Sequence, residues 1–150
     1  MALPTASDSG KPVGAPSTAD AEQAVRDAYA NFVMMLSRAD TLPEQSRRSE
    51  LSTVMAEPQL SHVVKHIDDL KRRHLATYGT VTVHVKSIQI KENDATIYDC
   101  RDSRGAGLVD SITHKKINRG IKEDNTKVLL TKGPDQRWRV SESFTLSKGC

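Results

Sequence analysis

The chain has few aromatic residues and only two cysteines. Its 150 residues include two Phe, three Tyr and one Trp, or 4% aromatic residues. Proteins that bind single-stranded nucleic acid use aromatic side chains to stack bases, so this scarcity argues against a nucleic-acid partner. The two cysteines form no C-x-x-C motif and cannot supply a zinc site of four thiolates. We therefore expect neither nucleic-acid binding nor a structural zinc centre.

Long apolar runs and nucleotide-binding motifs are also missing. No stretch of about 18 apolar residues is present, which predicts no membrane-spanning helix, and no apolar signal core follows Met1. The chain has no G-x-S-x-G motif, P-loop or dinucleotide fingerprint, so we expect no cofactor. A hydrophobic content of 37% and a net charge of +3 are typical of one domain with a modest core. These observations fit either a cytoplasmic protein or a mature or engineered form whose targeting segment has been removed.

The cysteines bear on that location. Cys100 lies in the middle of a strand-like stretch, and Cys150 is the last residue. An even count and a terminal cysteine favour a disulfide between them, which would indicate an oxidising, extracytoplasmic compartment. The alternative is two unrelated thiols, one buried and one on a frayed tail.

The chain divides into a tether and a domain. Residues 1–17 contain three Pro, two Gly and several Ser, Thr and Ala without an apolar period, which predicts a flexible segment. In a secreted or lipid-anchored protein, such a segment separates the domain from the membrane. A cloning remnant or a plain disordered terminus would have the same composition. Residues 18–150 form the predicted domain.

Three helices are predicted in the first half of the domain. Apolar residues recur at helical spacing from Ala21 to Leu36, and this helix should end near Ala39. Pro43 and Pro58 each suit the first turn of a further helix. The apolar stripe of the third helix consists of Leu60, Val63, Val64, Ile67 and Leu70.

Strands are predicted after Gly79, where the apolar period becomes two. Val81 to Val85 alternate, and Ile88 resumes one residue out of step, which indicates a bulge near Lys86–Ser87. The other predicted strands are at Ala95–Arg101, around Leu108–Val109, at Thr126–Thr131 and at Arg137–Leu146. The sequence therefore predicts an α+β fold, with about three helices on a curved antiparallel sheet of four to five strands.

Three stretches, "ATIYDCRDS", "GLVDSITHKK" and "GPDQRWRVSESF", resemble a known family. They show a D-C-x-D strand, a Gly-rich hairpin, a W-x-V strand and a late cysteine. The corresponding residues are Asp99, Cys100, Asp102, Gly133, Trp138, Val140 and Cys150. With the element order, they resemble the NTF2-like (cystatin-like cone) superfamily from roughly Asp20 to Cys150, and within it small secreted proteins and lipoproteins of actinobacteria.

The resemblance implies a pocket between the first helix and the concave face of the sheet. The superfamily includes ketosteroid isomerase, cyclase-like and dehydratase enzymes, transport factors, and assembly domains of secretion and conjugation machines, so the fold alone does not decide the function. The predicted ligand site consists of Tyr29, Phe32, Asp99 and Arg101. The catalytic alternative uses Asp99 as a general base and Tyr29 as an oxyanion donor. The opposing interpretation is a core tyrosine and a self-contained pair between Asp99 and Arg101.

Two further groups of residues give weaker signals. His62, His66 and Asp69 share one side of the third helix, but that side should face water, so we predict no metal site. Basic residues at Lys71–His74 and His114–Lys116 are interpreted as charge for solubility, with phosphate or anionic lipid as the alternative.

Three functions therefore remain open. The first is a non-catalytic extracytoplasmic module that binds a protein partner or a small apolar ligand. The second is a cone-fold isomerase, cyclase or dehydratase, and the third is a component of a conjugation or secretion apparatus. A homodimer through the sheet is one expected form of association. A membrane would be reached only through an N-terminal anchor.

Overall fold

The computed structural model describes residues 18–150; the expected tether at 1–17 lies outside the described residues. The helices are α1 (Thr18–Leu36), α2 (Glu44–Leu51) and α3 (Gln59–Arg72), with a short 3-10 helix at Ala39–Thr41. The strands are β1 (Leu75–Gly79), β2 (Val85–Lys91), β3 (Asp94–Arg101), β4 (Ala106–Asp110), β5 (Asp124–Lys132) and β6 (Trp138–Lys148). This order is the predicted α+β plan. None of the helices in this range is long and apolar enough to cross a membrane.

The strands form two antiparallel sheets. The larger sheet has the order β2-β3-β5-β6, and β1 pairs with β4 in a separate two-stranded sheet. In the large sheet, Ile97 lies opposite Ile88 on one side and Val128 on the other. The register shifts between Val85 and Ser87, as the apolar pattern predicts. Such shifts bend a strand and increase its twist, which helps the sheet to curve around the helices.

The core lies between the helices and the concave face of the large sheet. Helix α1 packs on β6, and α3 contacts both β1 and β6. The period-two pattern of β3 and β5 turns every second side chain inward, where it meets the apolar stripes of the helices. The fully buried apolar side chains include Val25, Tyr29, Phe32, Leu51, Ile97, Val128 and Val140. Trp138 is also buried.

The first strand was predicted in the wrong place. The structure has a strand at Leu75–Gly79, where no strand is predicted, and α3 stops at Arg72. The predicted strand at Val81–Val85 is reduced to a single bridge between Thr82 and Asp102. The physical reason lies at His84, whose backbone N–H donates to the Asp99 carboxylate. The Asp99 side chain thus accepts the hydrogen bond that a backbone carbonyl of β3 would accept in a regular strand pair.

The predicted helix ends are displaced by short distances. Helix α1 ends at Leu36 rather than near Ala39, which instead begins the 3-10 helix. Pro43 and Pro58 occupy the capping position, so α2 and α3 each begin one residue later. The large sheet has four strands, within the predicted four to five, and β1 and β4 add a second, two-stranded sheet.

A disulfide closes the C-terminal third of the domain. Cys100 on β3 is bonded to Cys150, which follows β6, with the two Cα atoms 6.0 Å apart. The predicted bridge is therefore confirmed. Since β5 lies between β3 and β6, the bond ties the chain end across the middle of the large sheet.

Removing this bond should lower the stability of the domain substantially. The disulfide spans 50 residues, and closing a loop of that length in the unfolded chain corresponds to roughly 4 kcal/mol in the chain-entropy model. We expect the double variant C100S/C150S to unfold in urea with a free energy lower by that order. The single variant C150S should lose as much stability. An unfolding curve unchanged from wild type would contradict the assignment of the disulfide.

Candidate functional site

A buried polar cluster lies inside the concave face of the large sheet. It consists of Tyr29 from α1, Asp99 and Arg101 from β3, Ser143 from β6 and the backbone N–H of His84; we call it the Asp99 cluster. The side chains of Tyr29 and Asp99 are both completely buried. Asp99 and Arg101 share one face of β3 because they are two positions apart, and Ile97 extends that face into the core.

The hydrogen bonds of the cluster satisfy both oxygens of the Asp99 carboxylate. Oδ1 accepts from the backbone N–H of His84 at 2.7 Å, and Oδ2 accepts from the Tyr29 hydroxyl. The Tyr29 oxygen in turn accepts from Arg101 Nε at 2.9 Å. Arg101 Nε lies 3.6 Å from Oδ2, so the predicted pair with Asp99 is present but longer than the bond through Tyr29. Arg101 Nη2 also donates to the Ser143 hydroxyl at 3.1 Å.

The environment keeps the Tyr29 phenol protonated. Burial raises its pKa well above the usual value, and the hydrogen bond to Asp99 acts in the same direction, while the Arg101 charge opposes both. Tyr29 thus remains a hydrogen-bond donor to the carboxylate over the whole neutral range. A phenol already engaged in this way has no free proton to offer a bound molecule.

A pocket opens next to the cluster. Its volume is about 150 Å³, and its walls come from the C-terminal end of α1, from β1 and the two residues after it, from the end of β3 and from β4. The lining residues are Val33, Leu36, Ser37, Thr77, Tyr78, Gly79, Thr80, Val81, Arg101, Ala106 and Gly107. Arg101 is the one charged side chain among them. Tyr29, Phe32 and Asp99 are not part of this lining.

Two glycines allow the walls of the pocket to approach closely. Gly79 has a φ of +76°, and a Cβ there would lie 1.8 Å from the carbonyl oxygen of Gly105. A Cβ on Gly107 would lie 2.3 Å from the carbonyl oxygen of Asn118. No side chain fits at either position without moving backbone, so the spacing between β1, β4 and the segment after β4 requires glycine.

The predicted site residues separate into two groups. Arg101 reaches the pocket, whereas Tyr29 and Asp99 lie behind it, and Phe32 occupies the core 6.4 Å from the Tyr29 ring centroid. Phe32 is completely buried and packs in the core, so it does not line this pocket. His62 and His66 are exposed on α3, and no group of residues within 18–150 could hold a metal ion.

Sequence reasoning missed the pocket walls contributed by β1 and β4. Thr77, Tyr78 and Gly79 line the pocket but precede the first predicted strand. The signal is the composition of "LATYG", which contains Leu75, Thr77 and Tyr78 and ends at Gly79. Residues of these types favour a strand over a helical end.

Comparisons with known proteins identify the fold and no narrower group. Neither a family model nor a curated protein matches the sequence. The intermembrane space region of the chloroplast protein ARC6 superposes with a TM-score of 0.68 at 15% identity, over 84% of this chain and 96% of that one. A ketosteroid isomerase-like protein from Erwinia carotovora atroseptica gives a TM-score of 0.54 at 10% identity, over 83% of this chain and 95% of that one.

A conserved protein from Planctomyces limnophilus is similar as well, with a TM-score of 0.53 at 12% identity, over 81% of this chain and 91% of that one. Identities this low establish the fold alone. The chain has the NTF2-like α+β cone fold that its sequence predicts.

Replacing Asp99 should destabilise the domain strongly. Asp99→Ala leaves the Tyr29 hydroxyl and the Arg101 guanidinium without their buried acceptor, and losing one partner of a buried pair costs about 3–5 kcal/mol. Asp99→Asn keeps an acceptor oxygen and should lose less stability than Asp99→Ala. The matched control is Asp135→Asn, which removes an exposed carboxylate paired with Arg139 and should change the urea midpoint little. Equal effects of D99A and D135N would contradict the structural role of Asp99.

The buried phenol also predicts how stability depends on alkaline pH. The pKa of Tyr29 is higher in the folded protein than the unfolded value of 10.0. The folded state therefore keeps a proton that the unfolded chain releases, so this contribution is complete below pH 10.0 and is lost progressively above it.

We expect the free energy of unfolding of the wild type to fall as the pH rises above that value, and Tyr29→Phe to show a smaller decrease. Urea denaturation over a series of alkaline pH values measures both. Tyr98→Phe, which changes a tyrosine on the other face of β3, should retain the wild-type decrease. An equal decrease of the unfolding free energy in wild type and Y29F would contradict the prediction.

Proposed function

We propose that this protein is a non-catalytic extracytoplasmic binding module that holds a small apolar ligand in the pocket beside Arg101. The proposal rests on where the residues of the Asp99 cluster lie relative to the pocket. Arg101 lies on the pocket wall, while Tyr29 and Asp99 are fully buried behind it and bonded to each other. The pocket thus offers a bound molecule apolar walls and one arginine.

The contacts of Asp99 argue against the catalytic alternative. A general base must reach the proton that it removes, and both Asp99 oxygens already accept hydrogen bonds inside the protein. Tyr29 donates its proton to Asp99 and would have to break that bond to stabilise an oxyanion. An isomerase or cyclase would need these two groups exposed to the pocket.

The size and charge of the pocket favour a particular class of ligand. An apolar cavity of about 150 Å³ is large enough for a molecule the size of benzene. The charge of Arg101 is balanced by Asp99, so a ligand anion would add an unpaired charge to a partly buried site. A neutral ligand with an apolar body and one acceptor, such as a carbonyl oxygen, avoids that charge and can accept from the guanidinium.

The disulfide supports a location outside the cytoplasm, because thiols in the cytoplasm are kept reduced. The narrower resemblance to secreted proteins and lipoproteins of actinobacteria belongs to the same proposal. A homodimer through the sheet and a role in a secretion or conjugation apparatus remain hypotheses.

Titration with two small aromatic probes tests the proposed function. Acetophenone carries a carbonyl acceptor, and toluene has a similar body without one. We expect acetophenone to shift the backbone amide resonances of Gly79, Ala106 and Gly107, and to bind about fivefold more tightly than toluene, as one net hydrogen bond allows. Benzoate should bind more weakly than acetophenone.

A matched pair of variants on α1 controls this experiment. Val33→Phe fills the pocket and should abolish the shifts, whereas Met34→Phe alters the next residue, which is exposed, and should leave them unchanged. Shifts that persist in V33F, or that appear at residues away from the pocket, would contradict the proposed binding site. Tighter binding of benzoate would contradict the neutral-ligand class.

A further inference from the structure

A second surface lies on the segment between β4 and β5. Residues 111–122, which we call the basic segment, contain Lys115, Lys116, Arg119 and Lys122 and no Asp or Glu. Every residue of the segment except Gly120 is exposed. Within residues 18–150, no carboxylate lies within ion-pair distance of these four cations. The segment therefore presents four positive charges that no described carboxylate neutralises.

The same segment exposes large apolar side chains. Ile112 is 68% exposed, Ile117 is 54% exposed and Ile121 is 39% exposed. Six large apolar side chains are exposed in the described part of the chain, so half of them lie in these twelve residues. Single exposed apolar residues are ordinary, but their concentration among cations is not expected for a face that only promotes solubility.

Hydrogen bonds hold the segment in place. Its backbone runs beside β4, with bonds from Ile117 N–H to the Leu108 carbonyl at 2.8 Å and from Gly120 N–H to the Ala106 carbonyl at 3.0 Å. The turn at its start is closed by Asp110, whose carboxylate accepts from the backbone N–H groups of Ile112 and Thr113 at 2.8 and 2.9 Å. These contacts hold the isoleucines at the surface instead of allowing them to fold back onto the core.

We infer that the basic segment binds the surface of a membrane that contains anionic lipids. Positive residues at such a surface are attracted by the negative headgroups, and exposed isoleucines enter the boundary between headgroups and acyl chains. Nucleic acid fits the surface less well, because the segment contains no aromatic side chain for base stacking. An acidic protein would match the charge but would leave the isoleucines unexplained.

Co-sedimentation with lipid vesicles tests this inference on the whole protein. Vesicles of phosphatidylcholine mixed with phosphatidylglycerol should bind the protein at low salt, and vesicles of phosphatidylcholine alone should bind it much less. Since each basic residue near an anionic surface strengthens binding about fivefold, we expect the triple variant K115Q/K116Q/R119Q to bind at least about tenfold more weakly. I112S/I117S should also bind more weakly.

Two control variants carry the same chemical changes elsewhere on the surface. R26Q/K65Q/K91Q removes three exposed charges from α1, α3 and β2, and M34S/L146S removes two exposed apolar side chains; both should bind like wild type. Absence of wild-type binding to anionic vesicles would overturn the inference. Unchanged binding by I112S/I117S, or equal binding to a single-stranded oligonucleotide, would also overturn it, since either result indicates simple charge attraction.

Discussion

The buried carboxylate of Asp99 is the interaction on which the rest of the domain depends. It joins α1 through the Tyr29 hydroxyl, the segment before β2 through the His84 N–H, and β6 through Arg101 and Ser143. A carboxylate inside an apolar core is tolerated only when hydrogen bonds replace its water. These elements must therefore assemble together, which positions α1 over the concave sheet and places Arg101 at the pocket.

The sequence predicts the plan of the fold well and the site only in part. Apolar periodicity locates the three helices, the strands β3 to β6 and the bulge after Val85, because burial of one face leaves a regular pattern. It does not reveal that His84 bonds to a side chain, since that bond depends on Asp99 of another strand. It also misses the strand at Leu75–Gly79, where residue composition favours a strand but burial does not alternate. The pocket was incompletely predicted for the same reason: two of its walls come from β1 and β4, and that pairing leaves little pattern in either strand.

The pocket and the basic segment share a boundary. The Tyr78 side chain lines the pocket, and its hydroxyl donates to the Asn118 carbonyl within the basic segment at 2.8 Å. Its ring also lies 4.7 Å from the ammonium group of Lys116. A ligand in the pocket and a surface docked on the segment would thus both contact the environment of one tyrosine, which gives the two proposed activities a direct structural connection.

The disulfide has a topological consequence for how the protein responds to proteolysis. Cys100 and Cys150 enclose β4, the basic segment, β5 and β6 in one covalent ring. For a protease that cuts after lysine or arginine, the exposed cleavage sites of the basic segment lie inside this ring. One cut there opens the ring but releases no fragment, so the nicked chain keeps its mass, apart from one added water, until a reductant arrives.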